Sequence, residues 1–167
     1  YTLDGSVPDE TSPVYDGSLT FTDPSSQPNV YSARTDIAAE TTAYLPPTEA
    51  VDKAVVLRAA AFDADGNQSN PVTATYFINL DRKEGYQNAW IVSLISEPDN
   101  LFSDERGIYV RGSVYEQALQ DGVIYEEFPW IDLMDYMNYH REGSESERRA
   151  QLTIFDSEST VRIDQEC

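Results

Sequence analysis

The sequence holds one cysteine, one histidine and two lysines in 167 residues. Cys167 is the last residue, so no disulfide can close within the chain and no thiolate cluster can hold a metal. With His140 alone, a serine triad and a multi-histidine metal site are both disfavoured. Lys53 and Lys83 are the only lysines, and neither follows a glycine-rich phosphate loop. Asp4-Gly5-Ser6 and Arg111-Gly112-Ser113 lack both the spacing and the lysine, so a complete ATP site is not expected here. Long apolar runs are missing too. The run Ala54 to Leu57 stops at Arg58, far short of the roughly 20 residues that cross a bilayer, so no membrane insertion is expected in this segment.

Positive charge is scarce overall. Eleven Lys and Arg face thirty Asp and Glu, for a net charge of -19 and a pI near 4.1. The acidity is spread along the chain: residues 1–80 carry three basic and eleven acidic groups, and residues 81–167 carry eight and nineteen. A polyanion is repelled by such a surface, which argues against nucleic acid as a partner, and anionic membranes are disfavoured for the same reason. With 40% hydrophobic and 25% charged residues, the chain can nevertheless bury a core.

Residues 1–80 read as β-structure. Asp4-Gly5 is a turn pair behind Tyr1-Thr2-Leu3, Asp16-Gly17 is another before Ser18 to Phe21, and Asn29 to Ala33 reads as a short strand. Between them, residues 23–28 are a Pro- and Ser-rich loop. The clearest element is a hairpin. Ala54 to Phe62 forms one arm, Asp63-Ala64-Asp65-Gly66-Asn67 the turn, and Pro71 to Ile78 the other arm, with the period-two alternation of a half-buried strand. Residues 81–89 are polar and linker-like. Trp90 to Ile95 reads as a strand ended by Pro98, and Gly107 to Val110 as a shorter one. From Phe128 to His140 the period changes: Pro129 suits a first helical turn, and Trp130, Leu133, Met134 and Met137 share one face, with Gly143 as the stop. Ala150, Leu152 and Ile154 then alternate with polar positions, and Thr160 to Ile163 returns as a strand. The opening residues fall inside an expected hairpin, so the sequence reads as a piece of a longer polypeptide.

The residues that could carry chemistry have plainer readings as well. His140 at a helix C-terminus complements the helix dipole more often than it acts as a base. Asp63, Asp65 and Asn67 could ligate calcium through oxygen, but the EF-hand spacing is not met, and the same residues suit a hairpin turn. Paired carboxylates such as Glu126-Glu127, Glu145 with Glu147 and Asp9-Glu10 are too common in so acidic a chain to mark a glycosidase pair. Among eleven Tyr, six Phe and two Trp, Tyr1, Tyr15 and Tyr76 lie on or beside expected strands, where core packing outweighs sugar stacking.

Two stretches resemble known families. Tyr1-Thr-Leu-Asp-Gly-Ser, Ser12-Pro-Val-Tyr-Asp-Gly, Val55 to Ser69 and Thr73-Ala-Thr-Tyr resemble the chitobiase/β-hexosaminidase C-terminal type module, apart from an insertion at about residues 24–52. That resemblance implies a fibronectin III-like β-sandwich of the kind attached to secreted bacterial proteins. Trp90-Ile-Val-Ser-Leu-Ile, Glu97-Pro-Asp-Asn-Leu-Phe, Gly107-Ile-Tyr-Val-Arg-Gly, Asn138-Tyr-His-Arg-Glu-Gly and Glu147 to Asp156 are similar to the opening of the spore coat protein H (CotH) kinase-like domain. Ser146 departs from the tryptophan usual there. This second resemblance implies a parent that transfers phosphate from ATP, with a divalent metal, to Ser or Thr of coat or surface proteins. The nucleotide- and metal-binding motifs of that family lie beyond Cys167, so no residue here is assigned as catalytic, cofactor-binding or metal-binding, and this fragment alone is not expected to be an enzyme.

The expected fold is therefore mainly β. A fibronectin III-like or immunoglobulin-like β-sandwich over 1–80 and a linker at 81–89 would precede an α+β segment over 90–167, the incomplete start of a CotH kinase-like domain. The expected role is a spacer or docking module that meets basic coat or surface proteins, at a secreted, cell-surface or spore-coat location. The alternative is a carbohydrate-binding or adhesion module without kinase activity.

Overall fold

The computed structural model describes residues 1–37, 45–80, 83–125 and 133–167. It groups the chain into two compact units. One is built from Tyr1–Pro28, Ala50–Glu97 and Arg149–Cys167, and the other from Asn29–Glu49 and Pro98–Arg148. The first unit thus draws strands from both sides of residues 81–89. Among the described residues there are five strands in two antiparallel sheets, so the β-rich expectation holds at that level.

The expected hairpin is present. Strand β1 (Val55–Ala59) pairs antiparallel with β2 (Val72–Tyr76), in a register that sets Val55 against Tyr76 and Ala59 against Val72. Its turn is closed by Asp63, with Gly66 at φ +83°, a conformation that favours glycine. The opening residues do not form a hairpin of their own. Thr2 and Asp4 bridge instead to Arg58 and Val56 on the free side of β1, and Thr2 exchanges both backbone hydrogen bonds with Arg58. Ser18 to Phe21 and Asn29 to Ala33 are not strands. The former is irregular, and Tyr31–Ala33 is a single 3₁₀ turn.

The second sheet has the order β3 (Ile91–Ile95), β4 (Gln151–Phe155), β5 (Val161–Glu166), antiparallel throughout. The sequence anticipates all three strands, β3 from its apolar run and β4 from alternation, with β5 returning after the expected turn at 156–159. Val92 faces Ile154, which faces Ile163, so the pleat places these side chains on one face. Ser93 and Thr153 point the other way and are buried, and the Ser93 hydroxyl meets that of Thr75 on β2 at 2.7 Å. Phe77 and Phe155 add an edge-to-face contact at 5.7 Å within this unit.

The second unit contains helices α1 (Pro98–Phe102) and α2 (Ser113–Gln120). Pro98 ends β3 and also opens α1, where the missing N–H costs nothing. Gly107 to Val110 is turn rather than strand, because Ile108 and Tyr109 donate their N–H groups back to Asn100 and Leu101. Tyr115 and Ala118 of α2 pack with Ile124, Leu133 and Met137 into this unit's core. The helix expected over 128–140 lies partly outside the described residues. Its described part is two 3₁₀ turns, Met134–Tyr136 and Asn138–His140, separated by an extended Met137. Continuous α-helix is lost there because the Asn138 N–H bonds to the Arg111 carbonyl instead of to its own preceding turn.

Gly112 sits at φ +89°, and a Cβ built on it would lie 2.3 Å from the Asn138 side chain. Gly112→Ala is expected to cost about 3 kcal/mol, combining backbone strain with displacement of a buried amide. Gly143→Ala, at φ +93° but with open space around it, should cost only about 1–2 kcal/mol. Thermal melts of the two variants check this order.

Candidate functional site

The β-rich unit holds a cleft of about 480 Å³. The end of β2 and the following segment supply Tyr76, Phe77, Ile78 and Leu80, residues 86–91 supply one wall, and Phe155 to Ser159 supply the other. Its volume falls in the range of small-molecule sites, about 300–1,000 Å³. The lining mixes aromatic rings with the amide and hydroxyl groups of Gln87, Asn88, Ser157 and Ser159. Asn79, Asn88 and Ser159 are the non-glycine residues with positive φ among those described. Two of them line this cleft and the third lies between two lining residues. Backbone held in so sparsely populated a region clusters at binding sites more than elsewhere.

Beside the cleft wall, both lysines are committed to holding the Pro- and Ser-rich loop. Lys83 Nζ contacts Asp52 at 2.5 Å, Asp23 at 3.1 Å and the Ser25 hydroxyl at 2.7 Å. Lys53 Nζ donates to the carbonyls of Gln27 and Val51. The Ser25 hydroxyl and N–H, followed by Lys83, hold the Asp23 carboxyl down at about 2. Asp52, bonded to Lys83, is also lowered, and its hydrogen bond from Tyr86 raises that phenol. Lys83 is raised chiefly by Asp52. The lysines therefore act as structural clasps, which leaves neither as a free phosphate ligand.

The Asp63 loop is a turn with its oxygens already occupied. Asp63 Oδ1 accepts the N–H groups of Asp65 and Asn67, and Oδ2 accepts from the Asn67 side chain at 2.9 Å. These bonds, led by the Asn67 amide, lower the Asp63 carboxyl, while Asp65 is exposed. Among the described residues no three His, Cys, Asp or Glu side chains are grouped to hold a metal. His140 ends a 3₁₀ turn, with its ring 5.1 Å from that of Tyr139. Tyr15, expected in the core, is 67% exposed because the segment around it joins no sheet. Tyr1 is half-buried, and Tyr76 packs against Phe21 at 4.9 Å. Glu126 and Glu127 lie outside the described residues.

Several motifs of the expected kinase-like start meet inside the helical unit. Asn138 Nδ2 donates to the Asp104 carbonyl at 3.0 Å, and the Asn138 N–H reaches Arg111, next to Gly112. Asn100 is buried at the turn to Ile108, and Arg148 donates to the Arg106 carbonyl. The Arg111 guanidinium lies 5.1 Å over the Tyr115 ring. These contacts fix backbone segments to one another and leave Asn138 Oδ1 buried without a partner.

Compared with known proteins, residues 1–76 match the family described as Fn3 associated. That match supports a fibronectin III-associated module over this segment. No curated protein and no solved structure matches the chain.

The loop clasp sets a pH dependence. A carboxyl depressed by folding adds stability that is complete above its unfolded value, near 3.9, and is lost as pH falls through its folded value. For Asp23 that window runs from about pH 4 down to about 2. Ser25→Ala should move Asp23 closer to its ordinary value than Lys83→Met does, since the serine contributes most. Carboxyl ¹³C titrations of both variants give the order directly.

Proposed function

We propose that this chain is the non-catalytic leading part of a CotH-type surface or coat protein. In this reading a fibronectin III-like β-sandwich acts as spacer and docking platform, and the residues after 90 begin a kinase-like domain. The observation that carries the module part of this reading is the Fn3-associated match over residues 1–76, with the β1–β2 hairpin inside it. The start of a second domain is supported by the motif segments of residues 98–148, which join one another through Gly112, Asn138 and Arg148 within one unit. A parent of this kind would supply ATP- and metal-binding residues from outside this chain. Its location would be secreted, cell-surface or spore-coat.

The docking partner that suits a net charge of -19 is a basic coat or surface protein. Binding of a Lys- and Arg-rich coat-like peptide, followed by calorimetry, should weaken roughly tenfold or more between 50 and 500 mM salt. Binding that ignores salt would refute this docking role. The intact mass of the native product tests the larger reading. A species far heavier than 18.8 kDa is expected, and that species should transfer phosphate.

The cleft favours a second reading, as a carbohydrate-binding module. Tyr76, 40% exposed, offers a ring face beside Gln87 and Asn88, whose amides suit sugar hydroxyls. In that case, retention on an insoluble polysaccharide should fall at least tenfold in Tyr76→Ala, and the far-UV circular dichroism should remain unchanged.

A further inference from the structure

Arg58 carries a charge that the fold sets partly inside the β-rich unit without a counter-ion. On β1 it stands opposite Thr73, and the next pair along the same face of the sheet is Val56 with Thr75. The Thr75 hydroxyl meets Ser93 of β3 at 2.7 Å, so this face is turned toward the second sheet of the same unit. Gly5 lies against it too: a Cβ built there would meet Val56 at 3.4 Å and Ile95 at 4.0 Å. That close approach brings the Gly5 carbonyl within 3.2 Å of Arg58 Nη1. Arg58 Nε is buried with no partner, and no carboxylate among the described residues pairs with the guanidinium. A guanidinium offers five donors, and its charge is costly out of water unless an anion or several acceptors meet it. Arg58 lines a cavity of about 140 Å³, together with Thr73, Gln151, Arg149, Glu97 and Glu166. At its exposed rim Arg149 Nη1 lies 3.5 Å from the Glu166 carboxylate.

We infer that this cavity is a site for a small zwitterion, which sets a carboxylate on Arg58 and an ammonium group toward Glu97 and Glu166. Three features narrow the ligand class. The planar fork of a guanidinium matches a carboxylate, two N–H groups to two oxygens. The volume is well below the roughly 300 Å³ at which drug-sized pockets begin, so it suits a molecule of a few heavy atoms. Two carboxylates in the wall, within a chain of net charge -19, repel a multiply charged anion such as phosphate and attract an ammonium group. An α-amino acid with a short side chain, glycine or alanine, meets all three. The site is independent of both the kinase and the carbohydrate readings.

The buried Arg58 Nε–H supplies the readout, since shielding from water keeps its proton visible in ¹H–¹⁵N spectra near neutral pH. Alanine titrated into the 167-residue chain should move this resonance with a midpoint of about 1–10 mM. Acetate, which lacks the ammonium group, should need roughly tenfold more, and phosphate should leave the resonance in place. Arg58→Gln should abolish the alanine-dependent shifts at Thr73 and Gln151 without lowering the melting temperature, because it removes an uncompensated charge. Glu166→Gln, on the exposed edge strand β5, should weaken alanine and strengthen acetate, each roughly threefold. That variant carries the test if Arg58→Gln does not fold. An Nε–H resonance unmoved by about 100 mM alanine would overturn the inference, as would alanine shifts that survive Arg58→Gln. Acetate or phosphate binding as tightly as alanine would overturn it too, by removing the role of the two glutamates.

Discussion

An aspartate oxygen accepting the backbone N–H two residues ahead recurs at Asp4, Asp9, Asp23, Asp63 and Asp156. The rest of the β-rich unit depends on this arrangement. The unit has much irregular backbone, and each such segment must find partners for its N–H groups or expose them. The carboxylates supply those partners. All five are held below the ordinary carboxyl range, with Ser6, Thr11, Ser25, Asn67 and the Thr160 N–H respectively as the leading causes. Part of the chain's acidity is therefore structural. At Asp156 the carboxylate also takes Arg162 at 2.6 Å, which ties the 156–159 turn to β5.

The same constraint shapes the Asp63 loop, where one carboxylate closes the turn by accepting three hydrogen bonds. It likewise explains why the lysines serve the fold. With so little positive charge available, the two ammonium groups lie where the Pro- and Ser-rich loop has the most acceptors to satisfy.

Legibility in the sequence followed the range of the interactions. β2 and β4 could be read from alternation, β3 from its compact apolar run and β5 from the turn before it, since each of these patterns is local and survives without knowledge of the partner strand. The hairpin was legible because its turn chemistry and both arms lie within 25 residues. Helix α2 was missed because its N-cap is Gly112, which offers no side-chain cap, and because Tyr115 and Ala118 face a core assembled from Leu133 and Met137. The break at Met137 was illegible for a related reason: the Arg111 carbonyl that takes the Asn138 N–H is 27 positions away. The cleft was hidden because its walls come from residues 75–91 and 155–159, brought together by sheets whose order no local pattern encodes. Its clearest local hints were Asn79 and Asn88, residues that tolerate left-handed backbone.

The pairing of β3 with β4 has a consequence for how the protein is made. β3 ends at Ile95 and β4 begins at Gln151, so most of the helical unit is threaded between two neighbouring strands. On the ribosome β3 must wait, its edge and apolar face open, until more than 50 further residues have emerged. At about 5–20 residues per second that wait lasts several seconds, long compared with the microseconds in which the local β1–β2 hairpin can close. Early assembly of the helical unit would bring the two ends of the gap together sooner, making the inserted segment an internal scaffold for the sheet it interrupts.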